Sequence, residues 1–371
     1  MAETYAHITG WGMAVPERIL TNAELTQMVD TSDEWIRSRT GIGTRHIAEN
    51  GQTTASLATE AAINALRVAN LSPPDVDMII VSTSTPEHIF PATACLVQER
   101  IGAVNAGAFD LLAACTGFIY AVNMGAQAIR SGSIQNAVVI GAETLSRIVN
   151  WEDRNTCVLF GDGAGAFVLQ ASDQPGGVLS AVLRSDGSGS GLLSVPAGGS
   201  AHPIDEQAIA DKQHYIQMNG REVFRFATRV MASATREAVE KANLLIDDIQ
   251  LIIPHQANQR IIDSAAKQLK LPPERIVTTV EDYGNTSTAS IPIATCEAIA
   301  DGRLQPGDNI VLVGFGAGLT WGAAVAEWSG PFPYERKVRF SLYRLLSRIW
   351  SFLQRIRRRF EGIIWDTEDD K

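Results

Sequence analysis

Cysteine is scarce in this 371-residue chain: four thiols, Cys95, Cys115, Cys157 and Cys296, with no Cys-x-x-Cys spacing among them. That excludes a disulfide framework as the source of stability and fits a reducing, cytoplasmic setting. Long apolar runs are missing as well. No stretch reaches the ~18 to 20 uninterrupted apolar residues that a helix needs to cross a bilayer, and no secretory apolar core follows Met1-Ala2-Glu3-Thr4. Positive charge is the third shortage, 31 Lys and Arg against 41 Asp and Glu. An acidic balance argues against nucleic acid as a partner, because phosphate binding requires a basic surface of substantial extent.

The charge is unevenly spread. Residues 335–365 carry nine Lys and Arg against Glu335 and Glu361, a net +7, and 366–371 carry −3, which leaves −14 on the rest of a chain whose total is −10. The body is acidic and one terminal segment is basic. With 45% hydrophobic residues the body can bury a large core, in two domains or one duplicated unit.

Apolar runs bounded by Gly and Pro, such as 78–81, 137–140 and 310–313, alternate with helical patterns over 54–69, 222–243 and 257–269. This is the signature of an α/β protein with buried strands. The chain also echoes itself. The segment from Ala128 to Gln135 before one apolar run matches Ala298 to Gln305 before another, about 170 residues on. Asp75 to Ile80 matches Asp248 to Ile253 at nearly the same offset. Two α/β halves are expected, 1–174 and 175–328, joined at the Gly- and Pro-rich stretch Ser172 to Gly177, with 329–371 as an extension.

Duplication predicts a cleft to which both halves contribute. In the first half, Cys115 follows the strand-like run Ala106 to Leu112 and starts a helical pattern at Gly117, where the helix N-terminus favours a thiolate. Taken alone, a small thiol at a crowded strand–helix junction is as well explained by packing. In the second half, His255 closes the apolar strand 251–253, and Asn285 follows Gly284 after the apolar run 276–280. A lone His there caps a helix, and an Asn after Gly is an ordinary turn residue. Three such residues, each at a strand-to-helix turn, point to a shared site.

Together, Ala114-Cys115-Thr116-Gly117-Phe118, His255-Gln256-Ala257-Asn258, Gly284-Asn285-Thr286-Ser287 and the run Gly314 to Gly322 resemble the signature set of β-ketoacyl-acyl-carrier-protein synthase III, in the thiolase superfamily. The resemblance spans roughly residues 5–328 and includes Asp33-Glu34-Trp35-Ile36, Arg39-Thr40-Gly41-Ile42 and Phe160-Gly161-Asp162-Gly163-Ala164-Gly165. It implies a thiolase-like fold, two duplicated α/β halves in a layered αβαβα arrangement. It implies a decarboxylating Claisen condensation of a short acyl-CoA with malonyl-acyl-carrier protein, which initiates fatty acid synthesis. By the same resemblance Cys115 carries the acyl group, the N–H groups of Cys115 and Ala317 form the oxyanion hole, and His255 and Asn285 stabilise the enolate. No metal or redox cofactor is expected, since decarboxylation itself generates the carbanion.

The resemblance also assigns CoA and pantetheine contacts to Trp35, Arg39, Thr40, Arg154, Phe224 and Asn258. The acidic carrier protein falls to Arg225, Arg260 and Lys267, and the acyl pocket to Phe160 and Phe90. The Phe90 ring is expected to reach across a homodimer and favour short primers such as acetyl. Two other readings remain. A related thiolase-superfamily ketosynthase of a polyketide or signalling pathway shares the core motifs. A Cys-His-Asn hydrolase also places its His and Asn about 130–150 residues after the Cys, but the local signature around its cysteine is absent here. The glycine runs at 161–165 and 314–318 lead into strand-like stretches, not helices, which argues against a dinucleotide fingerprint.

The extension adds an amphipathic pattern. Val338, Leu342, Leu345, Ile349, Phe352, Ile356 and Phe360 recur at helical spacing, with Arg344, Arg348, Arg355, Arg357, Arg358 and Arg359 among the polar positions and Trp350 and Trp365 nearby. Such a helix lies on an anionic membrane surface or packs on the acidic body or a partner subunit.

Overall fold

The structure, a computed structural model, describes residues 3–334 and, beyond them, 337, 338, 340, 342, 343, 346, 349, 350 and 352–357. Nine strands build two sheets. The first contains β1 (Tyr5–Ala14), β2 (Met78–Ser82), β3 (Gly107–Leu111), β4 (Asn136–Thr144) and β5 (Asp162–Ser172), in the order β1-β5-β4-β2-β3. The second contains β6 (Val178–Ser185), β7 (Leu251–Pro254), β8 (Asn309–Gly316) and β9 (Thr320–Glu327), in the order β7-β8-β9-β6. In each sheet a parallel pair, β2 with β4 and β7 with β8, is extended by two antiparallel strands. The first sheet adds β3 as an outer, half-exposed strand.

Seven longer helices layer these sheets: α1 (Asp33–Thr40), α2 (Thr54–Ala69), α3 (Thr93–Ile101), α4 (Gly117–Arg130), α5 (Gly220–Lys241), α6 (Gln259–Leu269) and α7 (Ser290–Ala300). Their faces follow from sequence. In α2 a capping box of Thr53 and Ser56 starts the helix, and its buried stripe is mostly alanine, which brings it close to the first sheet. By contrast α7 is buried on nearly every side from Ser290 to Ala298, the pattern of a helix between two sheets. It shares a core with Phe118, Ile119 and Val122 of α4, Val139 and Phe167 of the first sheet, and Ile253, Leu312 and Ala324 of the second. With α2 and α3 outside the first sheet and α5 and α6 outside the second, the layers run α, β, α, β, α, the arrangement the resemblance implies.

One expected element is absent. The apolar run 276–280 is not a strand: Ile276 makes a single bridge to Ile252, and a short helix, Val280–Tyr283, leads into Gly284. The Gln256 carboxamide is the reason. It accepts the Thr279 N–H at 2.8 Å and donates to Val277 O at 3.1 Å, satisfying this backbone from a side chain where a strand would use a ladder. Residues 340, 342, 343, 346, 349, 350 and 352–357 are helical. Leu345, Phe360, Arg344, Arg348, Arg358, Arg359 and Trp365, on which the sequence reading also drew, lie outside the described residues.

Candidate active site

Cys115 sits in a tight turn, Ala114–Thr116, between β3 and α4. Ala114 before it adopts φ +47°, a left-handed conformation costing a non-glycine residue about 1–2 kcal/mol and tolerated where surrounding structure imposes it. The second half presses on this turn from the end of β8. A Cβ on Gly316 would lie 2.8 Å from the Cys115 backbone nitrogen, so only glycine permits the approach. The thiol is buried, and burial pushes it up to about 12; the nearby Glu143 carboxylate adds to the rise, while a Ser287 hydroxyl bond opposes it. The helix start alone therefore does not yield a resting thiolate. Desolvation is the largest influence on the thiol.

His255 follows β7. Its ring is buried and packs edge-on to Phe315, centroids 5.4 Å apart. Burial holds the imidazole down to about 3, so it is neutral at physiological pH. Its tautomer is fixed by Ser290, the first residue of α7. The Ser290 hydroxyl accepts the Gln256 N–H at 3.3 Å and stands 2.7 Å from His255 Nδ1, to which we assign its hydrogen. The proton then resides on Nε2, which is buried without a partner.

Asn285 is oriented by the turn that carries it. Its Oδ1 accepts the Ser287 N–H at 2.8 Å, which leaves Nδ2 as the uncommitted donor. Its backbone pairs with the chain around Phe160, through Asn285 N to Leu159 O at 2.9 Å and Gly161 N to Asn285 O at 3.0 Å.

Cys115, His255 and Asn285, more than a hundred residues apart in the chain for the first pair, line one cavity of about 90 Å³ together with Phe160, Phe224, Asn258 and Gly316. Cys115 and Phe160 also line a second, larger cavity of about 400 Å³ with Leu112, Leu145, Ile148, Ile216, Ser287 and Ala317. The thiol stands where the two meet. A narrow approach with two neutral donors and a mostly apolar chamber beyond the sulfur suit a thioester whose acyl chain passes the nucleophile.

The other predicted residues divide. Asn258 caps α6, accepting the Arg260 N–H at 2.9 Å and donating to Arg39 O at 3.0 Å, so it ties the two halves together at the cavity rim. Arg154 lies 4.9 Å and Arg39 6.0 Å from the centre of the Trp35 ring. Arg154 and Trp35 are in direct contact, so a base between them requires the guanidinium to swing aside. Thr40 is buried, and its hydroxyl donates to Ile36 O at 2.6 Å and accepts the Ile42 N–H at 3.0 Å, closing the end of α1 and committing its one donor hydrogen. Phe90 is 83% exposed and lines neither cavity of its own chain, as a ring that reaches toward a partner subunit would be. On the outer helices, Arg260 stacks over Phe224 at 5.1 Å, Arg225 pairs with Glu222 at 3.0 Å, and Lys267 is exposed two turns further along α6.

Three contributors had no signal in the sequence. Ser290 sets the His255 tautomer. Glu143, at the end of β4, is fully buried and raised to about 7 by desolvation; it accepts from the Thr85 hydroxyl at 2.7 Å and the Ser84 N–H at 3.1 Å. Arg45, also fully buried, donates to Asn22 Oδ1 at 2.8 Å and Val158 O at 2.7 Å and packs its Cβ under Gly161 and Gly284, the glycines on either side of the Phe160–Asn285 pairing. Among the described residues, no cluster of three or more His, Cys, Asp or Glu is arranged to hold a metal ion.

A mixed two-sheet α/β fold with a buried thiol, a neutral histidine and an asparagine in one cleft defines a thiolase-fold enzyme. Two family models match, 3-oxoacyl-[acyl-carrier-protein] synthase III over residues 109–187 and its C-terminal part over 239–328. A β-ketoacyl-[acyl-carrier-protein] synthase III of Desulfitobacterium hafniense is 54% identical over 322 residues, 87% of this chain and 97% of that protein. The crystal structure of the Aquifex aeolicus 3-oxoacyl-[acyl-carrier-protein] synthase III is 47% identical with a TM-score of 0.81, covering 87% of this chain and all of the other. The priming β-ketosynthase of the R1128 polyketide pathway is 35% identical, with a TM-score of 0.82 over 89% of this chain and 98% of the other. This chain belongs to the β-ketoacyl-acyl-carrier-protein synthase III family and is an acyltransferase.

Proposed function

We propose that this chain condenses a short acyl-CoA, acetyl-CoA first, with malonyl-acyl-carrier protein to give a 3-oxoacyl-carrier protein and carbon dioxide, through an acyl-Cys115 intermediate. The observation that carries this reading is the meeting of a buried Cys115 with two neutral, uncommitted donors, His255 Nε2 and Asn285 Nδ2, in one cleft. Cys115 attacks the thioester carbonyl, and its proton ends on the departing CoA sulfur. The backbone N–H groups of Cys115 and Ala317 receive the oxyanion; such donors are each worth about 10²–10³ in rate. The malonyl thioester then loses carbon dioxide. Its enolate oxygen takes hydrogen bonds from His255 and Asn285, and the enolate carbon attacks the acyl-Cys115 carbonyl and expels the thiolate. A neutral imidazole suits the second step, because an imidazolium would protonate the carbon nucleophile it is meant to preserve.

Trp35, Arg39 and Arg154 form the mouth for the nucleotide end of CoA, with Phe224 and Asn258 along the pantetheine path. Arg225, Arg260 and Lys267 dock the acidic carrier protein. Exposed Ile89, Phe90, Phe109 and Leu112 beside the edge strand β3 support a homodimer in which the partner's ring closes the 400 Å³ chamber and limits the primer to short chains. Four free cysteines suit a reducing cytoplasm. The likeness to the polyketide priming synthase keeps a second reading, the same chemistry feeding a different carrier.

The test is a panel of acyl-CoAs with malonyl-acyl-carrier protein, read by intact-protein and product mass spectrometry. Acetyl-CoA should add one acetyl group to the wild type and none to Cys115→Ala, and Asn285→Ala should acylate yet fail to condense. Equal charging by dodecanoyl-CoA would remove the short-primer assignment, and acylation of Cys115→Ala would remove the nucleophile.

A further inference from the structure

The relatives match this chain over nearly their whole length, 97% of the Desulfitobacterium protein and all of the Aquifex one, yet cover only 87% of it. The basic extension lies outside the shared body. Its described residues hold it against the outer helices of the first sheet. Val338 N donates to Asn70 Oδ1 at 2.8 Å, Phe340 packs on the core beneath α2 and α3, and Arg355 pairs with Glu99 of α3 at 3.2 Å.

At about 100° per residue, Phe340 and Arg355 fall on one side of the extension helix, the side that meets the body. Leu342, Leu346, Ile349 and Leu353 fall on the other as a single stripe, with Trp350 and Phe352 on its two flanks. These six side chains are 47 to 62% exposed. Arg357 falls between Leu346 and Trp350, so the uninterrupted apolar face runs about 120° from Phe352 to Leu346, and it is directed away from the protein. A two-stranded coiled-coil seam is narrower than this. A second copy would also bring two +7 segments together, whereas an anionic surface is attracted by each of them.

We propose that this helix is a peripheral membrane anchor, which lays the Leu342–Leu346–Ile349–Leu353 face and its flanking Trp350 and Phe352 into the surface of an anionic bilayer. The extension's net positive charge draws it to the anionic headgroups, and the acidic body, held by Phe340 and Arg355, stays on the aqueous side. The assignment is independent of the condensation chemistry.

The experiment is co-sedimentation with vesicles of phosphatidylcholine alone or mixed with phosphatidylglycerol, at low and high salt. Three proteins are compared: the full chain, a chain ending at Trp328, which spans the body matched end to end by complete relatives, and the full chain carrying Leu346→Glu, Ile349→Glu and Leu353→Glu. Acylation of Cys115 reports that each is folded. The full chain should bind the anionic vesicles at least about tenfold more tightly than the neutral ones and weaken with salt, and the other two should stay in the supernatant. Equal sedimentation of all three, or none by the full chain, overturns the anchor. So does a lipid-independent drop in oligomeric mass in the triple variant, which assigns the face to a second copy.

Discussion

At the cleft, protonation is set by surroundings more than by residue type. His255 is neutral because burial penalises an imidazolium there, and its donor nitrogen is assigned from one serine hydroxyl. Replacing Ser290 by Ala frees the tautomer. Decarboxylation of malonyl thioester should fall about tenfold or more while acyl transfer to Cys115 is retained, as read from separate half-reaction assays. An equal loss in both half-reactions would mean that Ser290 supports the fold and not the imidazole. The Cys115 thiol is raised to about 12, so its thiolate fraction climbs tenfold per pH unit across the accessible range. Alkylation of the Cys115 peptide by iodoacetamide should therefore rise log-linearly to beyond pH 9, with no plateau near the ordinary thiol value of 9.0.

At the scale of elements, the site is made of turns held by neighbours distant in sequence. The β3-to-α4 turn accepts a left-handed Ala114 because the end of β8 abuts it through Gly316. Gly316→Ala would place a methyl 2.8 Å from the Cys115 nitrogen, displacing the nucleophile and the N–H that receives the oxyanion. Acylation should drop about 10²-fold or more with the circular dichroism spectrum unchanged, since a shift near 1 Å is enough to disable a positioned nucleophile. The elements themselves were well marked. The helix over 54–69 coincides with α2, and the pattern from Gly117 starts where α4 does, because capping residues and apolar period are local signals. The run 276–280 misled for an equally physical reason: its backbone is satisfied by the Gln256 side chain, and apolar composition does not encode that.

Across the whole molecule, the two sheets repeat one strand pattern and meet through α4 and α7, which brings β3, β7 and β8 to a common cleft. The first sheet carries the additional edge strand β3, beside which Ile89, Phe90 and Leu112 stand exposed. Phe90→Asp should weaken self-association in sedimentation velocity and, by opening the chamber, raise charging by longer acyl-CoAs relative to acetyl-CoA. A monomeric wild type, or an unchanged chain-length profile, would separate Phe90 from both roles.

The sequence by itself determined the α/β class, the internal echo, the long helices and the three polar residues of the cleft, because apolar periodicity and signature motifs are written in short stretches. Tertiary structure alone decided that burial raises the Cys115 thiol, that the His255 ring is desolvated beside Ser290 and that the Thr40 hydroxyl bonds within its own helix end. Those properties depend on desolvation and on hydrogen-bond partners supplied by other elements, as Ser290 and Gly316 supply them here, and no local window of sequence contains both sides of such a contact.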